Sequence, residues 1–223
     1  MDHQLKVFDQ ELADLKDTIL KMGVLVQELI FKSVDSLKNR NTDMAKEVIK
    51  RDVEVDKLEL EVDEKVINII ALNQPKANDL RFVTTGMKIS TDLERIGDLA
   101  ENIAERAIEL SEQPLLKPLI DIPKMAKLAE DSVAIAIEAF VNNNSDKAKE
   151  IWAKEKEVDR LRDLVNDELL QMMTKDSSVV TRAFPLLLVA RHLERISDHA
   201  TNIAEDVIYM VEGNVVKHSS ARG

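Results

Sequence analysis

Apolar positions recur at threes and fours almost from the first residue. Leu5, Phe8, Leu12, Leu15, Ile19 and Met22 fall on one helical face, and the pattern holds to about Leu37. It stops in Asn39-Arg40-Asn41, after which Thr42 or Asp43 is the expected N-cap of a second helix. That helix carries Ala45, Ile49, Val55, Leu58, Val62 and Val66, and ends near Leu72 ahead of Pro75. A third runs from about Asn78 to Ser111. Pro114, Pro118 and Pro123 form the one proline cluster, a linker by composition. Helices resume near Pro123 and stop in Asn142-Asn143-Asn144; a fifth, with Ser145 as its expected cap, reaches about Thr174. The sixth runs from about Ser178 to Glu212, with Pro185 expected to kink or fray its early turns. The tail, 214–223, is expected to be disordered.

The second three helices repeat the first three. Leu93-Glu94-Arg95-Ile96-Gly97-Asp98 matches Leu193-Glu194-Arg195-Ile196-Ser197-Asp198, and over 92–105 against 192–205 ten of fourteen residues are identical. A second match, 45–58 against 148–161, has seven of fourteen identical and falls in the same order. Two matches in register point to duplication of a whole unit. Long helices with short connections pack antiparallel. The expected fold is therefore all-α: two tandem, duplicated three-helix bundles, over residues 1–113 and 120–213.

Composition narrows the picture. Hydrophobic residues are 44% of the 223, enough for a core, but aromatics are only 3%. The core must be aliphatic, with the methionines as filler. A net charge of −11 argues against nucleic acid, which needs a basic surface. The absence of cysteine excludes disulfides and thiolate chemistry. The longest apolar run, 183–190, contains Pro185 and is too short to span a bilayer. The acidic N-terminus lacks the apolar stretch of a signal peptide, so a cytoplasmic location is expected.

The candidate chemistry lies in the acids. At about 100° per residue, Glu94, Asp98, Glu101 and Glu105 share a narrow arc, opposite Leu93, Ile96, Ala100, Ile103 and Ala107. The stripe is thus expected to face away from its own core. In the second half Glu194, Asp198 and Glu205 repeat it, with Thr201 replacing one acid. The middle helix adds Asp52, Asp56, Glu59 and Asp63; its copy keeps Glu155 and Asp159, then departs with Arg162 and Asn166. Such stripes are commonly solvated faces and nothing more. Like charges at i, i+4 nonetheless cost roughly 0.2–0.5 kcal/mol per pair, and bound cations would offset that. Carboxylate oxygens select hard ions such as Mg²⁺, Mn²⁺, Ca²⁺ or iron. His192 and His199 flank the stripe as ordinary boundary residues. Arg95 and Arg195 suit either a surface salt bridge or a clamp on a carboxylate or phosphate.

Several enzyme classes lack their signatures. There is no phosphate-binding Gly-rich loop, no G-x-S-x-G, no H-E-x-x-H and no Glu-x-x-His of the carboxylate di-iron oxidases. No nucleophile has an adjacent base. The alternatives are a carboxylate-metal enzyme of phosphatase or oxidase type and a metal-free helical scaffold.

Phe8-Asp9-Gln10-Glu11-Leu12, Met22-Gly23, the stretch from Gln74 to Arg81, Lys88-Ile89 and the two Leu-Glu-Arg-Ile-(Gly/Ser)-Asp motifs span nearly the whole chain. In that order they resemble the PhoU family of phosphate-specific transport accessory proteins. The resemblance implies a non-catalytic negative regulator of phosphate uptake and phosphate-starvation signalling. It implies as partners the ATPase of the phosphate ABC transporter and a membrane sensor histidine kinase, with a homodimer as the assembly. It also implies multinuclear clusters of iron, Mn or Mg on paired E(D)-x-x-x-D motifs. Carried over, these are Asp52/Asp56 with Glu94/Asp98, and Glu155/Asp159 with Glu194/Asp198. The departures at Thr201, Arg162 and Asn166 bear on whether the two clusters hold equal numbers of ions.

Overall fold

The computed structural model describes residues 2–215, with side chains from Lys6 onward. Its elements are α1 (Asp2–Asn39), α2 (Thr42–Asn73), α3 (Asn78–Ser111), α4 (Asp121–Val141), α5 (Ser145–Lys149), α6 (Ile151–Lys175), a 3-10 turn (Ser177–Val179) and α7 (Val180–Glu212). Among the described residues there is no strand. The first three helices pack on one another, as do α4, α6 and α7, and the two bundles meet along α3–α7 and α1–α4. None of the described helices is long and apolar enough to cross a membrane. From 216 onward the tail expected to be disordered lies outside the described residues.

The two bundle turns show the duplication in backbone form. Arg40 and Asn143 both adopt a left-handed φ, 55° and 49°. The next residue donates its N–H five residues back: Asn41 to Ser36 and Asn144 to Ala139, each at 2.9 Å. This is the Schellman closure of a helix C-terminus. It leaves Asn41 and Asn144 extended, and the Asn41 side chain accepts from the Met44 N–H while that of Asn144 accepts from Lys147 N–H. The N-caps are thus Asn41 and Asn144, one residue before Thr42 and Ser145. A cap must stand outside the helical φ, ψ region, and the closure places the asparagines there. Arg40 also donates to the carbonyls of Ser111 and Gln113, closing the end of α3 where a cation is favoured.

Two further details differ from the periodicity. The fifth helix is interrupted at Glu150, whose N–H turns back to the Lys147 carbonyl in a tighter i−3 bond. Pro185 lies inside a continuous α7, and the departure from α geometry is confined to the 3-10 turn before it.

One aliphatic core runs through both bundles. Met22, Met125 and Met210 belong to it, whereas Met87 is 40% exposed and is not filler. The seam between bundles is close-packed. A Cβ on Gly23 of α1 would meet Ile137 of α4 at 2.8 Å, so glycine sets how closely these helices approach. Phe82 of α3 stacks on the buried Phe140 of α4, centroids 5.0 Å apart. Polar pairs complete it: Lys88 to Asp206 at 3.0 Å and His199 Nδ1 to Asp92 at 2.8 Å.

Candidate metal centre

The acids of α2 and α3 meet where the helices cross. Asp52 opposes Gly97, and a Cβ there would sit 2.6 Å from Asp52 Oδ1. Glycine therefore lets the carboxylate lie against the backbone of α3. In that position Asp52 is only 7% exposed, and its Oδ1 is buried without a hydrogen-bond partner. One oxygen each from Asp52, Asp98 and Glu101 lie within 4.8 Å of one another. The stripe lies opposite the buried Leu93, Ile96, Ala100, Ile103 and Ala107, as expected, but runs along this seam: Glu94, Asp98 and Glu101 are half-buried, and Glu105 is exposed. A helical wheel orients side chains about their own axis and carries no information on what packs against the flank.

The electrostatics follow from the crowding. Burial, then the charges of Glu101, Asp56, Asp98 and Glu94, push Asp52 up to about 7. Glu94 is raised by burial and by Asp98, with Arg95 opposing. Glu101 is raised by burial, then by Glu105, Asp98 and Asp56. Arg95 offers little relief; it lies 3.4 Å from both Glu94 and Asp98, with 57% of its side chain exposed. An unpartnered buried oxygen amid five carboxylates is what a hard cation compensates. The donor set is all oxygen, which suits Mg²⁺, Mn²⁺, Ca²⁺ or iron and disfavours ions that prefer nitrogen or sulfur.

The equivalent place between α6 and α7 is built differently. Arg162 stands where α2 has Glu59, and its guanidinium donates to Glu194 at 2.6 Å and lies 3.2 Å from Asp159. Its other nitrogens donate to Asp163 at 3.0 and 2.9 Å. Thr201 replaces Glu101 and is buried. Glu155 is raised by burial, then by Asp198, Asp159 and Glu205. Asp198 is pushed to about 6 by the surrounding protein, then by Glu194 and Asp159, against which His199 and Arg162 act. Among the described residues, no second trio of acidic oxygens comes as close together as Asp52, Asp98 and Glu101.

A family model described as the PhoU domain matches the chain twice, over residues 19–107 and 122–207. The chain belongs to the PhoU family. The phosphate-specific transport system accessory protein PhoU homolog of Aquifex aeolicus is 44% identical over 214 residues, 96% of each chain. The crystal structure of PhoU from Pseudomonas aeruginosa matches with a TM-score of 0.89 at 35% identity, covering 93% of this chain and 100% of that one. The crystal structure of the phosphate transport system regulatory protein PhoU from Streptococcus pneumoniae gives 0.87 at 30% identity, covering 94% and 99%.

Of the eight motif acids, Asp52 and Asp98 come together tightly, with Asp56 and Glu94 near enough to raise Asp52. Glu155, Asp159 and Asp198 lie near enough to act on one another, and Arg162 links Asp159 to Glu194. Glu101 stood on the acidic stripe read from helical spacing but outside the eight motif acids, and the structure makes it the third member of the trio. Its position seven residues after Glu94 was the available signal. Arg162 was visible as a departure, but its place between two motif carboxylates was not. Neither histidine joins a site: His199 pairs with Asp92, and burial together with Arg195 lowers the pKa of His192.

Proposed function

We propose that this protein is a cytoplasmic, non-catalytic regulator of phosphate transport that restrains phosphate uptake and starvation signalling through protein partners. The observation that carries the reading is the 44% identity, end to end, with a protein named as an accessory of phosphate-specific transport. The chemistry agrees: no nucleophile, nucleotide loop or basic nucleic-acid surface marks the sequence, and long helix faces suit docking on other proteins. The expected partners are the ATPase of the phosphate transporter and a membrane sensor histidine kinase. A homodimer belongs to the same reading and would double the mass in light scattering.

A hard divalent or trivalent ion on Asp52, Asp98 and Glu101, with Asp56 and Glu94 beside it, is part of the proposal. Its support is the buried, unpartnered Oδ1 of Asp52. Such an ion would neutralise an otherwise repulsive seam and fix the spacing of α2 and α3 at the surface offered to partners. The test is a phosphate-responsive reporter in a strain lacking its own PhoU, grown with ample phosphate. Expression of this chain should restore repression; a fully induced reporter with the protein folded and abundant refutes the assignment.

A further inference from the structure

We propose that Arg162 is a built-in cation: its guanidinium occupies the second carboxylate site, so the chain loads metal in its first half and not in its second. The proposal rests on the metal reading of the first site. At six corresponding positions the first half has Asp52, Asp56, Glu59, Glu94, Asp98 and Glu101. The second has four carboxylates, a threonine and an arginine, so the formal charge is −6 against −3.

The geometry shows why this differs from a smaller acidic cluster. Arg162 reaches across from α6 to Glu194 of α7 at 2.6 Å, and the same nitrogen lies 3.2 Å from Asp159. Those two acids come from different helices and are the counterparts of Asp56 and Glu94, which flank the proposed first-half ion, so the guanidinium sets its charge at the edge of the equivalent Glu155, Asp198 and Thr201 position. Asp163 fixes the rest of the guanidinium from behind. Arginine does not lose its proton at any accessible pH, so the positive charge cannot be titrated away to admit an ion. A cation entering would have to break these contacts and then sit beside the displaced charge. Thr201 removes a further ligand, since a neutral hydroxyl replaces the carboxylate of Glu101. Duplication thus kept the scaffold of both sites while one of them exchanged a diffusible cation for a tethered one.

The experiment measures Mn²⁺ bound per chain by elemental analysis, after chelator treatment, reloading and exhaustive dialysis. Wild type should retain Mn²⁺. Asp52→Asn with Glu101→Gln should reduce it to below about a tenth, the scale expected when ligation is lost. Adding Arg162→Glu to that double variant should restore uptake, because it recreates the Glu59 arrangement. Arg162→Gln removes the charge without adding a ligand, should restore part of the uptake, and serves if the glutamate variant fails to fold by circular dichroism. Metal retained by the double variant with Arg162 intact overturns the proposal, as does a folded Arg162 variant in that background that binds none. A wild type that binds no Mn²⁺ overturns it together with the first-site reading. The reporter assay bears on phosphate regulation alone, so the two failures are distinguishable.

Discussion

Asp52→Asn should stabilise the metal-free protein, and the gain should depend on pH. Asp52 is 7% exposed, faces four other acids, and is shifted from 3.8 to about 7. A carboxyl with a raised folded-state pKa holds its proton in the folded chain and loses it on unfolding. Stability therefore falls as pH rises from about 4 to about 7, and the penalty is complete above that. At 1.36 kcal/mol per pKa unit the ceiling is about 4 kcal/mol. Relaxation of Glu101 and Asp98 away from the charge lowers this, so about 2 kcal/mol is the expected gain above neutral pH. In a chain of this size that is a rise of roughly 4–8 °C in Tm. The amide keeps the shape of the carboxylate, so the close approach to Gly97 is undisturbed. The assay is thermal unfolding of both proteins by far-UV circular dichroism with a chelator present, at about pH 8 and about pH 4.5. The Tm difference should be large at the higher pH and mostly lost at the lower. With Mn²⁺ in place of chelator the order should reverse, since wild type gains about 2.7 kcal/mol at a hundred times Kd and the variant gains little. Equal Tm values at the higher pH, or the same offset at both, would refute the account of Asp52 as an uncompensated buried charge.

Gly97→Ala should displace Asp52, because the new methyl would lie 2.6 Å from Oδ1 and 3.3 Å from Val55. Metal titration should show at least about a tenfold loss of affinity, while helix propensity returns up to about 1 kcal/mol of the packing cost. Phe140→Ala removes a fully buried ring that joins the bundles through its stack on Phe82. Urea unfolding should show a loss of about 3–5 kcal/mol.

Much of the fold was legible because helices are specified locally. Whether Leu15, Ile19 and Met22 share a face depends on spacing within one segment, and the hydrogen bonds of a helix close within that segment. Duplication made the reading stronger, since each half checked the other. The caps were misplaced by one or two residues for an equally local reason: the left-handed Arg40 and Asn143 are not glycines, and nothing in their type announces that conformation.

The acid pairs on the second and third helix of each half, their spacing and their carboxylate chemistry were determined by the sequence alone. Which oxygens meet was decided only by the tertiary structure. Asp52 is buried because Gly97, on another helix, leaves room for it, and Glu101 joins it because the register of α2 on α3 brings that turn opposite. The same register, repeated on α6 and α7, points Arg162 at Glu194 and turns a missing acid into a tethered cation. Side-chain direction about one axis follows from residue spacing. Convergence between axes depends on crossing distance and register, which are set by packed side chains far apart in the chain.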